Sequence, residues 1–232
     1  METISPPGTH SRKIAGRRHR PCRKLVSANC GIPCKNISFF SVEYAILSTR
    51  DFEVIVLNFW GHLKTVSRHR ALVRKYCFRL GLYWQGLTHD LSKYSPVEFW
   101  TGVQYFQGDR SPNDAQRRKF GYSAAWLHHK GRNRHHFEYW TDYQPDGSGV
   151  GGVEMPEKYV AEMFCDRLAA SRVYRGADFE PGDPYKFFQR GKGRRLLLHP
   201  ATAALLETML VKLRDEGEDA AFAYIRREVL KK

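Results

Sequence analysis

Apolar positions recur at helical spacing from Asn58 onward. His62, Val66, His69 and Val73 fall at i, i+4, i+7 and i+11, so they share one face of a helix expected over 58–80. Gly81 ends or bends that helix, and a second apolar run follows from Leu82 to Leu91. Ser95-Pro96-Val97-Glu98 has a capping serine, a proline at the first helical position and a glutamate at the third, which predicts a helix to about Gln107. Residues 108–114 read as a loop, and a helix is expected from Ala115 to Lys130, interrupted at Gly131 and Asn133 before His135–Trp140. The glycine-rich stretch 144–154 reads as a loop, and Pro156 opens a helix to about Tyr174. Two helices, 200–215 and 218–230 with Gly217 between them, close the chain as a helical hairpin within 198–232. Residues 37–57 are β-branched and aromatic and fit either one or two short strands or a lead-in helix. The expected fold class is mostly α: one helical bundle over 58–232, preceded by a lead-in segment.

Composition supports a packed domain. With 42% hydrophobic and 13% aromatic residues, the 232-residue chain can bury a sizeable core, which excludes wholesale disorder. No apolar run reaches the roughly 18–20 residues of a membrane span. The most apolar stretch, Phe39–Trp60, is broken by Glu43, Arg50, Asp51 and Glu53. Five irregularly spaced cysteines do not make a disulfide framework, and no leader pattern opens the chain. A cytoplasmic protein without a membrane segment is expected.

The net charge of +14 invites a nucleic-acid reading until it is divided. Residues 1–36 carry eight Lys/Arg against Glu2 alone, which is half of the total. They read as a flexible basic tail, a candidate for non-specific nucleic-acid contact. The remaining charge belongs to the helical domain.

That domain carries unusual chemistry. Seven of the ten histidines fall in three clusters: His62/His69, His89, and His128/His129/His135/His136. Imidazole is the commonest side-chain metal ligand, and histidine with carboxylate suits Fe, Mn, Zn and Ni. In Thr88-His89-Asp90-Leu91-Ser92-Lys93, adjacent His89 and Asp90 point about 100° apart if helical. They therefore reach one ion only from a helix end, or serve two ions as a bridge. Lys93, three residues beyond Asp90, is placed to meet a phosphate oxygen. Asp166 shares a face with Tyr159, Met163 and Ala170, where a carboxylate is costly unless paired or bound to metal. Lys130 and Arg134 are candidates to pair with it or to clamp an anionic substrate.

The order His69, His89-Asp90, Asp166 resembles the HD-domain superfamily of metal-dependent phosphohydrolases, and His89-Asp90-x-x-Lys93 is similar to its common HD-x-x-K form. Some branches of that superfamily insert further histidines before the last aspartate, where His128/His129 and His135/His136 stand here. The segments GLTHDLSKYSPVEF, AWLHHKGRNRHHFEYW and MPEKYVAEMFCDRLAASRVY resemble, more closely, a bacterial and phage family of unknown function over about residues 58–230. The superfamily resemblance implies an HD-type helical bundle. It also implies one or two divalent ions (Fe, Mn, Zn, Ni or Mg) held by His69, His89, Asp90, His128, His135 and Asp166. His62, His129 and His136 are weaker candidates. In each histidine pair only one member need face the site, and His128 and His135, seven residues apart, would align on a continuous helix. Asp90 is the natural bridge between two ions. The implied activity is hydrolysis of a phosphomonoester or phosphodiester, with a small phosphorylated or nucleotide substrate held by Lys93, Lys130 and Arg134. Two other readings stand: a basic helical module that binds nucleic acid or a protein partner around a structural metal site, and a di-iron oxygenase of the same superfamily.

Overall fold

The computed structural model describes residues 49–191 and 197–232. The basic segment 1–36 and the lead-in as far as residue 48 lie outside the described residues. From Thr49 the chain is mostly helical. It runs α1 (Thr49–Arg79), α2 (Tyr83–Thr88), α3 (Pro96–Gln104), α4 (Pro112–Phe120), α5 (Ala124–Lys130), α6 (Glu157–Arg175), α7 (Asp183–Arg190) and α8 (Pro200–Tyr224). A short hairpin, β1 (Thr141–Tyr143) and β2 (Val150–Gly152), pairs antiparallel between α5 and α6. No helix among the described residues is long and apolar enough to cross a membrane.

The buried stripe of α1 changes chemistry along its length. Its first half turns inward His62, Val66 and His69; its second half turns inward Val73, Tyr76 and Cys77, with Leu80 just past the helix end. The apolar half packs against α6, which packs in turn on α8, and Val160, Ala161, Phe164, Cys165 and Leu168 of α6 join Leu206, Met209, Leu210 and Leu213 of α8 in one core. Burial of those side chains, at about 1.5–3 kcal/mol each, is the main force holding the helices together. The histidine half of α1 remains to be satisfied by polar partners, and that need builds the site.

Glycines and caps set the breaks. Gly81 (φ +67°) ends α1, and Gly86 lets α2 approach Cys77 and Phe78 of α1 closely. The helix expected over 115–130 is two helices. Gly121 takes the left-handed conformation (φ +80°) that ends α4, and Ser123 Oγ then accepts the backbone N–H of Trp126 to start α5. α3 stops at Gln104, three residues before the expected end. The glycine-rich stretch 144–154 is the turn and return strand of the β-hairpin, not only a loop. α7 lies in a stretch for which no helix was expected. Gly217 breaks the C-terminal helical run as expected, with φ +87° and ψ 178°. Just beyond it Glu218 accepts from Arg79 of α1 (2.5 Å) and Arg172 of α6 (2.7 Å), tying three helices together.

Candidate metal centre

The His89-Asp90 pair sits between α2 and a tight turn over 91–94, not within a helix. His89 leaves α2 with extended backbone angles, and Asp90 adopts a left-handed conformation (φ 53°, ψ 26°). A non-glycine residue pays of order 1–3 kcal/mol to stay there, a strain that clusters at functional sites. The turn is held by Arg70 of α1, whose Nε donates to the His89 carbonyl at 2.8 Å. That reversal is how adjacent side chains both reach one interior point.

Asp90 is 1% exposed and its two oxygens face different groups. Oδ2 stands 3.5 Å from His69 Nε2 and 3.5 Å from His89 Nε2. Asp166 Oδ1 completes that group, 3.1 Å from His69 Nε2 and 3.6 Å from His89 Nε2. The two imidazole nitrogens are 3.4 Å apart. Oδ1 of Asp90 faces the second group, 3.3 Å from His129 Nε2 and 3.4 Å from His135 Nε2. His136 Nε2 joins it, 2.9 Å from His129 Nε2. Ligand atoms at about 2.0–2.2 Å from one tetrahedral ion lie about 3.3–3.6 Å from each other. Most of these separations fall in that range. Each set, His69/His89/Asp90/Asp166 and Asp90/His129/His135/His136, could hold a metal ion.

The far side of the rings fits the same reading. Glu162 Oε1 stands 2.9 Å from His89 Nδ1 and 3.3 Å from His135 Nδ1. Glu98 places one oxygen 2.7 Å from His129 Nδ1 and the other 2.6 Å from His128 Nδ1. Carboxylates that take Nδ1–H leave Nε2 free and fix the ring's direction, as the outer partners of metal-bound histidines do. The inner atoms are less well served: Asp90 Oδ1 and His135 Nε2 are buried without a hydrogen bond, and Asp90 Oδ2 has the Lys93 ammonium as its ion-pair partner, at 2.9 Å. Buried polar groups are almost always paired, and a cation between these atoms would satisfy them.

Electrostatics follow from crowding. Burial opposes a charged His89 ring, but Asp90, Asp166 and Glu162 outweigh it and push its pKa up to about 10. Burial likewise opposes charge on Asp90, yet His89, Lys93 and His129 hold it well below the usual carboxylate range. His69 and His89 do the same for Asp166. Burial, with His135 and His129 beside it, drives His136 well down and keeps it neutral. Without an ion, protons on histidine balance the carboxylates; a divalent cation would take their place.

The structure divides the sequence candidates. His69, His89, Asp90, Asp166 and His135 converge, and both His129 and His136 join them. His128 does not. α5 ends at Lys130, so the helical register linking His128 to His135 is lost, and His128 turns to Glu98 instead. His62 is buried beside Phe99 and against Gly102, where a Cβ would collide with its ring, and it stands outside both ligand groups. Lys93 Nζ lies 2.9 Å from Asp90 Oδ2. It also lines a cavity of about 270 Å³ with His69, His129, His136 and Asp166. Arg134 instead donates to Tyr159 Oη at 3.1 Å and lines a separate, larger cavity, while Lys130 lines neither. Neither is the partner of Asp166, whose nearest polar atoms belong to His69 and His89.

Sequence reasoning missed Glu98 and Glu162. Glu98 matched a helix-start signature that explained it locally, yet Ser95 Oγ makes no capping bond. Glu162 precedes Asp166 by four residues on α6, so both stand on one helical face. That spacing was the available signal.

No curated protein and no solved structure matches the chain. The model of a family of unknown function, DUF5662, matches residues 58–212, a span that includes every residue of both ligand groups and both outer glutamates; the chain belongs to that family.

Proposed function

We propose that this protein is a metal-dependent phosphohydrolase that works on a small phosphomonoester or phosphodiester at a two-ion centre. The observation that carries the reading is buried Asp90, whose two oxygens face separate histidine-rich groups. The ligand order His69, His89-Asp90, His129, His135/His136, Asp166 supports it through resemblance to HD-domain phosphohydrolases. A nitrogen-rich set of five histidines favours Fe, Mn, Zn or Ni over Mg.

Bound divalent ions supply Lewis acidity and a water of lowered pKa. The chain's own residues do the rest. His69, His129, His136 and Asp166 open onto the 270 Å³ cavity, so a phosphate there meets the exposed side of both groups. Lys93, anchored on Asp90, directs its ammonium into the same space as a phosphate contact. Arg110 lines the cavity too and adds positive charge for the anionic substrate. Glu98 and Glu162 hold the rings, so their directions are set before substrate arrives.

The test uses untagged protein. Metal analysis is followed by assays of p-nitrophenyl phosphate, bis-p-nitrophenyl phosphate and nucleotides with each metal. Metal-dependent hydrolysis that is lost in Asp90→Asn supports the reading. Dioxygen-dependent turnover without phosphoester cleavage would replace it with the oxygenase reading. A metal-replete protein inert in every assay would favour a binding module with a structural centre.

A further inference from the structure

The larger cavity, about 860 Å³, is not part of the opening to the centre. It meets His89 and His135 from the side of Glu162, and none of His69, Lys93 or Asp166 lines it. Its wall combines two kinds of group. Tyr83 and Trp84 at the start of α2 are 62% and 74% exposed, a costly display of aromatic surface unless something covers it. Arg132, Arg134 and Lys158 stand in the same lining. Arg134 is held in place by Tyr159, whose hydroxyl accepts from it at 3.1 Å, and Lys158 Nζ lies 5.0 Å from the Tyr159 ring centre. Two acids also line the cavity, Glu157 and Glu162, and Glu162 is engaged with His89 and His135. The lining is therefore cationic and aromatic together.

We propose that this cavity is a second ligand site that binds a nucleotide, with its base on Trp84 and its phosphates against Arg132, Arg134 and Lys158. Aromatic platforms take any base face, and guanidinium groups take phosphate oxygens in pairs. The site does not depend on the phosphohydrolase reading, because a phosphate held there stands behind the histidine rings, away from Lys93 and Asp166. Glu162 borders both places, so an occupant would be felt by the rings of His89 and His135.

The probe is α,β-methylene-ADP, whose terminal linkage resists hydrolysis, titrated calorimetrically into the full-length metal-loaded chain. Trp84→Ala and Arg134→Ala, both changes of exposed side chains, should each weaken binding about tenfold. Lys119→Ala, an exposed change on α4 outside both cavities, should leave it unchanged. Methylene diphosphonate, which lacks the nucleoside, should bind about tenfold more weakly than the nucleotide. Three results would overturn the proposal: no binding, equal binding of methylene diphosphonate, or binding of full strength in both Trp84→Ala and Arg134→Ala. None of these touches the phosphoesterase assay, so the two ideas fail separately.

Discussion

Glu162 Oε1 lies 2.9 Å from His89 Nδ1, and the same oxygen reaches His135 Nδ1 at 3.3 Å. His89 belongs to one ligand group and His135 to the other. One carboxylate on α6 thus aims rings into both halves of the centre from behind, while Asp90 joins the halves from within. Glu162→Gln keeps the shape and removes the charge that makes both rings better ligands. Metal affinity should fall about 10–100-fold, read by competition with a chromogenic chelator. Glu157→Gln, an exposed change five residues earlier, should leave it unaltered.

Asp90 and Asp166 should differ in what they cost. Asp166 serves one group and Asp90 serves both. Asp166→Asn should lower the metal content by about one ion per chain, while Asp90→Asn should deplete both. Elemental analysis of the folded variants, checked by circular dichroism, reads the difference.

Metal uptake should release protons. His89 without an ion holds its proton up to about pH 10, because Asp90, Asp166 and Glu162 outweigh the cost of burial. An ion must displace that proton, so apparent affinity should rise with pH across the neutral range. A pH indicator in weak buffer would report the release. Uptake without proton release would mean that the ring nitrogens are not the ligands.

His62 supplies a separate pH dependence. Burial, with Lys93 nearby, lowers its pKa from 6.5 to about 4. The unfolded chain then binds a proton in that window that the folded chain refuses. Stability is full above about pH 6.5 and falls as the pH drops toward 4, by up to about 3 kcal/mol. Urea titrations of wild type and His62→Gln across pH 4–7 should show a shallower slope in the variant. Glu98 and Arg110 line the same cavity, so both proteins share their contribution.

Much of this was legible in the chain because it depends on local periodicity. The α1 stripe, the Gly81 and Gly217 breaks and the Pro156 start all follow from spacing and turn chemistry, and the helical class follows from them. His69, His89, Asp90 and Asp166 were legible because a ligand order survives in sequence even when the geometry does not. The choice within each histidine pair was not legible. His128 and His135 align only on an unbroken helix, and the chain turns at Gly131; on α5 itself, His129 reaches both Asp90 and Glu98, while His128 meets Glu98. Glu98 was hidden by a local signature that its position also satisfies, while its contacts come from about 30 residues away. The left-handed Asp90 was equally hidden, since nothing in His-Asp-Leu-Ser announces a backbone reversal.

The central claim is that Asp90 stands between two metal ions. Anomalous X-ray scattering from crystals of untagged, metal-replete protein tests it most directly. The account predicts two peaks, one bounded by His69, His89 and Asp166 and one by His129, His135 and His136, with Asp90 between them. No peak in metal-replete crystals, or a lone peak that Asp90 does not touch, would contradict it.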